Sequence, residues 1–274
     1  MKKSLSTIIL TIILIIGVSL LLYPTISDYW NEFHQSKAIA SYVEVVETMD
    51  QEKIQNILDS AIAYNERLRS KNNRWSLSEE DIQEYNNTLN VSGTGIMGYI
   101  DIPSISVQLP VYHSTDEEIL QVGIGHIEGS SLPVGGENTH TVVSGHRGLR
   151  SAKLFTDIDQ LSEGDIFKFY VLGDTLTYQI DQIRIVLPGE LNDLKIEPGK
   201  DLATLVTCTP YGVNSHRLLV RGHRIENSDA DKTVVTEATQ IKPLYVAVIL
   251  SVLILVLYVI VVTLIDRIIL FRFR

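Results

Sequence analysis

The 274-residue chain reads as a mainly β protein: a closed or nearly closed barrel, preceded by a helical region and flanked by two transmembrane helices. Three observations predict this. From residue 95 to 225 the chain breaks into short segments rich in β-branched and aromatic residues, separated by Gly, Pro and Asn, as in proteins built from many short strands. Before them, apolar residues recur at helical spacing. Two apolar runs, 5–23 and 244–265, are each about long enough to cross a bilayer core.

The first run follows Lys2 and Lys3 and is either a signal peptide or an uncleaved anchor. Its length exceeds the usual signal core and no small-x-small site precedes Tyr23-Pro24, which favours the anchor. Tyr29, Trp30, Phe33, Ile39, Tyr42, Val43 and Val46 then mark a helix. Asp50 can cap a second helix, with Ile54, Ile57, Leu58, Ala61 and Ile62 along one face. Tyr29 and Trp30 suit either a membrane-interface belt or packing on the next domain. The pattern breaks over 70–75, and Ser76 with Glu79, or Ser78 with Asp81, can start a short helix through Tyr85. Strands are expected over 95–102, 107–112, 141–144, 165–172, 175–187, 203–207 and 217–225. A polar stretch then leads to the second apolar run, which is closed by Asp266, Arg267, Arg272 and Arg274. Basic residues at both ends place both termini in the cytoplasm and everything between outside it.

The resulting division is a membrane segment over 1–25, a helical region over 26–94, a barrel over 95–226, a linker over 227–242, a membrane helix over 243–266 and a tail over 267–274. The formal charge of −10 understates the middle of the chain. Without Lys2, Lys3, Arg267, Arg272, Arg274 and Asp266 there remain 18 basic and 32 acidic residues, a net −14, which argues against nucleic acid as a partner. The sequence has no internal repeat, no phosphate-cradling Gly loop and no clustered Cys/His spacing for a metal.

One cysteine, Cys208, rules out an internal disulfide and leaves a single thiol on the exported side, either inert and buried or reactive. Its setting favours reactivity. Thr204, Leu205, Val206 and Thr207 form a buried-strand pattern, Pro210 to Asn214 is turn chemistry, and a returning strand starts near Arg217. A thiol ending one strand and a guanidinium starting the next can reach a shared carbonyl. A catalytic thiol also needs a proton-transfer partner, and His146 follows a β-branched run that stops at Ser144-Gly145. His140 and His216 are local rivals, and these residues alone do not exclude His140.

Thr204-Leu-Val-Thr-Cys208, with His146 and Arg217, resembles the TLxTC signature and catalytic triad of sortases. The stretches 125–148, 152–165 and 204–225 resemble class C, the pilus-assembling branch. The resemblance implies an eight-stranded barrel with short helices near 117–122 and 154–161. It makes Thr204, Leu205 and Thr207 substrate-binding or motif-supporting residues, and points to a lid in the loop at about 70–90, where the family has Asp-Pro-aromatic and this chain has Asn73-Arg74-Trp75. Without the Asp and the Pro, Asn73 can form no ion pair with Arg217, Arg74 would be repelled from it, and the loop would be looser.

The implied chemistry is cofactor-free transpeptidation at the cell membrane. Cys208 attacks an LPxTG-like sorting signal of a pilin, Arg217 steadies the developing oxyanion, and His146 protonates the leaving amine. The thioester then passes to a lysine of another pilin subunit. The alternatives are a housekeeping sortase anchoring proteins to peptidoglycan, an external cysteine peptidase, and a non-enzymatic assembly factor. The partners implied are pilin subunits and membrane lipid.

Overall fold

The computed structural model describes residues 2–227, and the linker, second membrane helix and tail expected after them lie outside the described residues. The chain opens with α1 (Lys2–Glu47), one unbroken helix that carries Pro24 within it and runs past the expected boundary at 25. From Ile9 to Ile26 its large apolar side chains are exposed all round, as in a helix whose neighbour is lipid. It is long and apolar enough to cross a membrane, with a mean hydropathy of 1.8 in its apolar window. Trp30, 63% exposed, does not pack on the barrel.

The lower half of α1 becomes amphipathic and docks. Ile39, Tyr42 and Val46 pack on Ile96 and Tyr99. The Tyr42 hydroxyl donates to the Met97 carbonyl (3.1 Å) and accepts from Leu172 N–H (2.9 Å), which satisfies a buried polar group on both sides. Helix α2 (Gln51–Ser70) starts at Asp50, whose carboxylate accepts from Lys53 N–H. Helix α3 (Glu79–Asn87) starts at a capping box between Ser78 and Asp81, the second of the two expected pairs. Ala61, Tyr64, Leu68 and Tyr85 from these helices share one core with Met97, Ile100, Leu205 and Val220 of the barrel. Asn65 behaves like a strand residue toward Leu132, donating to its carbonyl and accepting from its N–H.

The barrel consists of β1 (Ile96–Ile102), β2 (Val107–His113), β3 (Ile124–His126), β4 (Thr139–Ser144), β5 (Ile166–Val171), β6 (Asp174–Val186), β7 (Asp201–Thr209) and β8 (His216–Arg224). Helix α4 (Glu117–Leu120) lies between β2 and β3. The strands close in the order β1-β2-β3-β4-β7-β8-β6-β5. The β2–β3 and β4–β7 pairs are parallel and the rest antiparallel. Seven of these strands fall on the expected segments to within about two residues. The exception is β3, three residues flanked by Gly123, which is strand only because β2 and β4 hold it on either side. The second short helix expected near 154–161 is a 3₁₀ turn at Ile158–Gln160.

Candidate active site

In β7 the side chains alternate. Ala203 and Leu205 point into the barrel core, whereas Val206 belongs to a separate cluster on the outer face, with Val142, Val186, Leu194 and Leu219. Cys208 has the parity of Val206 and therefore stands on the outer face, half-buried. Its cross-strand partner on β8 is Arg217, directly opposite. Directly paired residues share a face with closely spaced Cβ atoms, so thiol and guanidinium rise from one spot.

The motif residues Thr204, Leu205 and Thr207 are all within 1% of complete burial, so they support the site from within the fold. Thr204 Oγ1 lies 2.7 Å from His140 Nε2. Thr207 Oγ1 donates to the Gly145 carbonyl (2.7 Å), while Gly145 N–H donates to the Val206 carbonyl (3.1 Å). These two bonds extend the parallel β4–β7 register, Ser144 opposite Val206, by one more residue. The next residue, His146, thereby leaves β4 at the end of β7 that carries Cys208. A Cβ at Gly145 would lie 2.8 Å from the Phe155 ring and 2.9 Å from Ile124, so only glycine fits.

The histidines now separate. His140 and His126 are fully buried, with both ring nitrogens engaged by Lys195, Thr204, Tyr85, Ser131 and Ser130. Burial pushes each imidazole down to about 4, so both rings are neutral at pH 7. His216 pairs with its neighbour Ser215 (2.9 Å). His146, 28% exposed at its side chain, is the histidine at the open end of β4.

Arg217 is turned toward its own loop, donating to the carbonyls of Asn214 (3.2 Å) and His216 (3.1 Å). Weak bonds to exposed carbonyls leave the guanidinium free to turn to a ligand. One residue that sequence reasoning missed is Arg147. It pairs with Asp159, donates to Thr209 Oγ1 (3.3 Å) and lies 5.8 Å from the centre of the Tyr211 ring, tying the exit of β4 to the β7–β8 loop. Another is Glu117, whose Oε1 is 3.4 Å from His146 Nε2. A charged residue on a short helix some thirty positions upstream carries no signal in the sequence that would have singled it out.

Trp75 packs on the outer-face cluster of Val142, Val186, Leu194, Val206 and Leu219, the strip of β7 and β8 that continues into Cys208 and Arg217. Asn73 Oδ1 accepts from Trp75 N–H (3.3 Å). Arg74 corrects the expectation of a repelled cation. Its guanidinium lies 4.3 Å from the centre of the Trp75 ring, donates to the Gly129 carbonyl (2.7 Å) and donates to the Leu194 carbonyl. The loop is therefore clamped by backbone acceptors rather than loosened by Arg217. Gly129 (φ +84°) is needed for this, since a Cβ there would meet the Arg74 carbonyl at 2.2 Å. Among the described residues no three His, Cys, Asp or Glu side chains gather as a metal site.

A barrel whose β7 and β8 pair a cysteine with an arginine, beside a histidine leaving β4, defines a class of protein, and comparison with known proteins identifies it. A family model described as a sortase domain matches residues 100–225. Sortase D of Bacillus subtilis (strain 168) is 30% identical over 131 residues, 47% of this chain, and the chain spans 63% of that relative's length. The chain belongs to the sortase family, whose members are cysteine transpeptidases. Its branch is class C, as its similarity to two solved structures shows. Sortase C1 from Streptococcus agalactiae superposes with a TM-score of 0.68 at 50% identity, over 70% of this chain and 100% of that one. Sortase C of Streptococcus pneumoniae does so with a TM-score of 0.63 at 45% identity, over 70% and 97%.

Proposed function

We propose that this enzyme polymerises pilin subunits outside the cell membrane, with Cys208, His146 and Arg217 as its catalytic residues. The observation that carries the proposal is the direct pairing of Cys208 with Arg217 across β7 and β8. The similar Streptococcus pneumoniae enzyme is described in terms of its pilin substrate specificity. Cys208, as thiolate, attacks the Thr carbonyl carbon of the Thr–Gly bond in an LPxTG-like signal, and Arg217 donates to the oxyanion as it forms. His146 gives a proton to the departing amine as the C–N bond breaks, leaving a thioester on Cys208. A lysine amine of the next subunit then attacks the thioester, loses a proton to His146, and forms an isopeptide bond as the thiolate departs. The enzyme is held by α1 and a second membrane helix over 243–266, with both termini cytoplasmic.

The test is product analysis with a sorting peptide and a lysine-bearing pilin. A thioester adduct on Cys208 and an isopeptide-linked product are expected, and neither from Cys208→Ala. A free carboxylate as the product even with excess amine would point instead to a peptidase.

A further inference from the structure

Glu117 opens α4, and its Oε1 faces His146 Nε2 at 3.4 Å. The contact falls outside hydrogen-bond geometry, and Nε2 is buried with no hydrogen-bond partner. A ring with its lone pair on Nε2 would point that lone pair at an anion. A ring with its proton there would point a partial positive charge at the same anion, so the carboxylate selects the proton on Nε2.

The surroundings hold the carboxylate in place. Gln121, one helical turn on, donates to the same Oε1. Just beyond it, the buried amide of Gln35 in α1 donates to the Val122 carbonyl (3.0 Å). The same helix also grips the chain that follows His146: Asn31 Nδ2 donates to the Ser151 carbonyl (2.6 Å), and Lys153 N–H donates to Asp28 Oδ1 (2.7 Å). Both partners of the His146–Glu117 contact are thus braced against α1. The hydrogen bond from Gln121 first, and the field of His146 second, hold the Glu117 carboxyl below its ordinary range, so it stays anionic at neutral pH.

We propose that Glu117 is a positioning residue for the transpeptidation: its carboxylate keeps the Nε2 proton of His146 in place and aims the ring, leaving Nδ1 to exchange a proton with the reacting amines. The logic is that of a carboxylate orienting a catalytic histidine, here supplied by an exposed helix rather than a buried strand. The proposal rests on His146 being the acid and base of the reaction. The ionisable groups on the surrounding elements include Cys208 on β7, Arg217 on β8, Arg147 next in the chain with Asp159 and Tyr211 beside it, Asp28 on α1, and Lys153 with Asp157. Arg147, paired with Asp159, and Arg217, resting on the carbonyls of Asn214 and His216, are both cations, so neither supplies the negative charge that Glu117 turns to His146.

The experiment measures kcat and KM for a sorting peptide with an amine acceptor from pH 5 to 10, in the full chain embedded in membrane. The Glu117 side chain is 69% exposed, so solvent weakens the pair and the effect is a modest one. Glu117→Gln is expected to lower kcat about two- to fivefold with KM unchanged, and to move the alkaline limb of the profile to lower pH. Glu117→Asp should recover part of the loss, and Gln121→Ala should show a smaller loss in the same direction. A Glu117→Gln enzyme with the parental profile, beside an inactive His146→Ala enzyme, overturns the proposal. So does an equal loss at every pH accompanied by a lower Tm, which marks a merely structural role. Turnover by His146→Ala would instead overturn the assignment of His146 itself.

Discussion

Removing the indole of Trp75 should open the groove. Its ring lies on Val142, Val186, Leu194, Val206 and Leu219 and is half-buried there. Complete burial of a large apolar side chain is worth about 1.5–3 kcal/mol, so the half-buried ring contributes about 0.8–1.5 kcal/mol to closure. At about 1.4 kcal/mol per tenfold, Trp75→Ala multiplies the open population by about four to twelve. Cys208 is itself half-buried rather than sealed, which sets the expected gain in thiol reactivity at the lower end, about fourfold. Arg74→Ala should give a similar gain by a different route, because it removes a cation that donates to two loop carbonyls, a kind of bond worth about 1.5–3 kcal/mol before exposure is discounted. The assay is the rate of Cys208 modification by a membrane-impermeant thiol reagent, which is unambiguous because the chain has one cysteine. The Tm should move little in Trp75→Ala, since the cluster beneath it is separate from the main core. Parental modification rates and peptide turnover in both variants would refute the lid.

Four further outcomes are expected. Arg217→Lys should lower kcat at least about a hundredfold in the peptide assay, because an ammonium cannot reproduce the donor fork opposite Cys208. Gly145→Ala should lower stability by about 1–3 kcal/mol in denaturant unfolding, and also slow turnover, because its Cβ collides with Phe155 and Ile124 and pushes His146 out of register. Stability should fall on acidification from about pH 6.5 to about 4: His126 and His140 sit near 4 when folded and near 6.5 when unfolded, so the unfolded chain binds more protons across that window. Thermal melts at pH 7.5 and 5 check this, and replacing His140 with Gln should reduce the slope. A reporter fused after Arg274 should be cytoplasmic, and an external signal would overturn the two-pass topology.

Most of the barrel was legible because its strands alternate and its turns are marked by Gly, Pro and Asn. The failures have physical causes. β3 is too short to show a period and exists through its parallel pairing with β2. The role of Arg74 was misjudged because its partners are the carbonyls of Gly129 and Leu194, and a backbone acceptor in a distant loop leaves no trace in residue identity. Residue identity alone leaves His140 open as a base, and only its ring nitrogens, committed to Lys195 and Thr204, exclude it. Glu117 was invisible for a topological reason: the connection from β2 to β3 brings α4 to the end of β4, and nothing local to Glu117 announces that meeting.

The site also explains why a cysteine motif includes residues that are fully buried. Cys208 needs His146, which comes from a parallel strand sixty-two positions earlier in the chain. A parallel neighbour cannot be set in register by a tight turn, so side chains must do it. Thr207 does so by closing on the Gly145 carbonyl, and Thr204 ties the same two strands further down through His140. Leu205, between them, anchors β7 in the core so that both hydroxyls meet β4 at fixed height. On this argument the threonines of the motif belong to the histidine as much as to the cysteine. Their loss should misalign His146 against Cys208 while leaving the thiol itself intact.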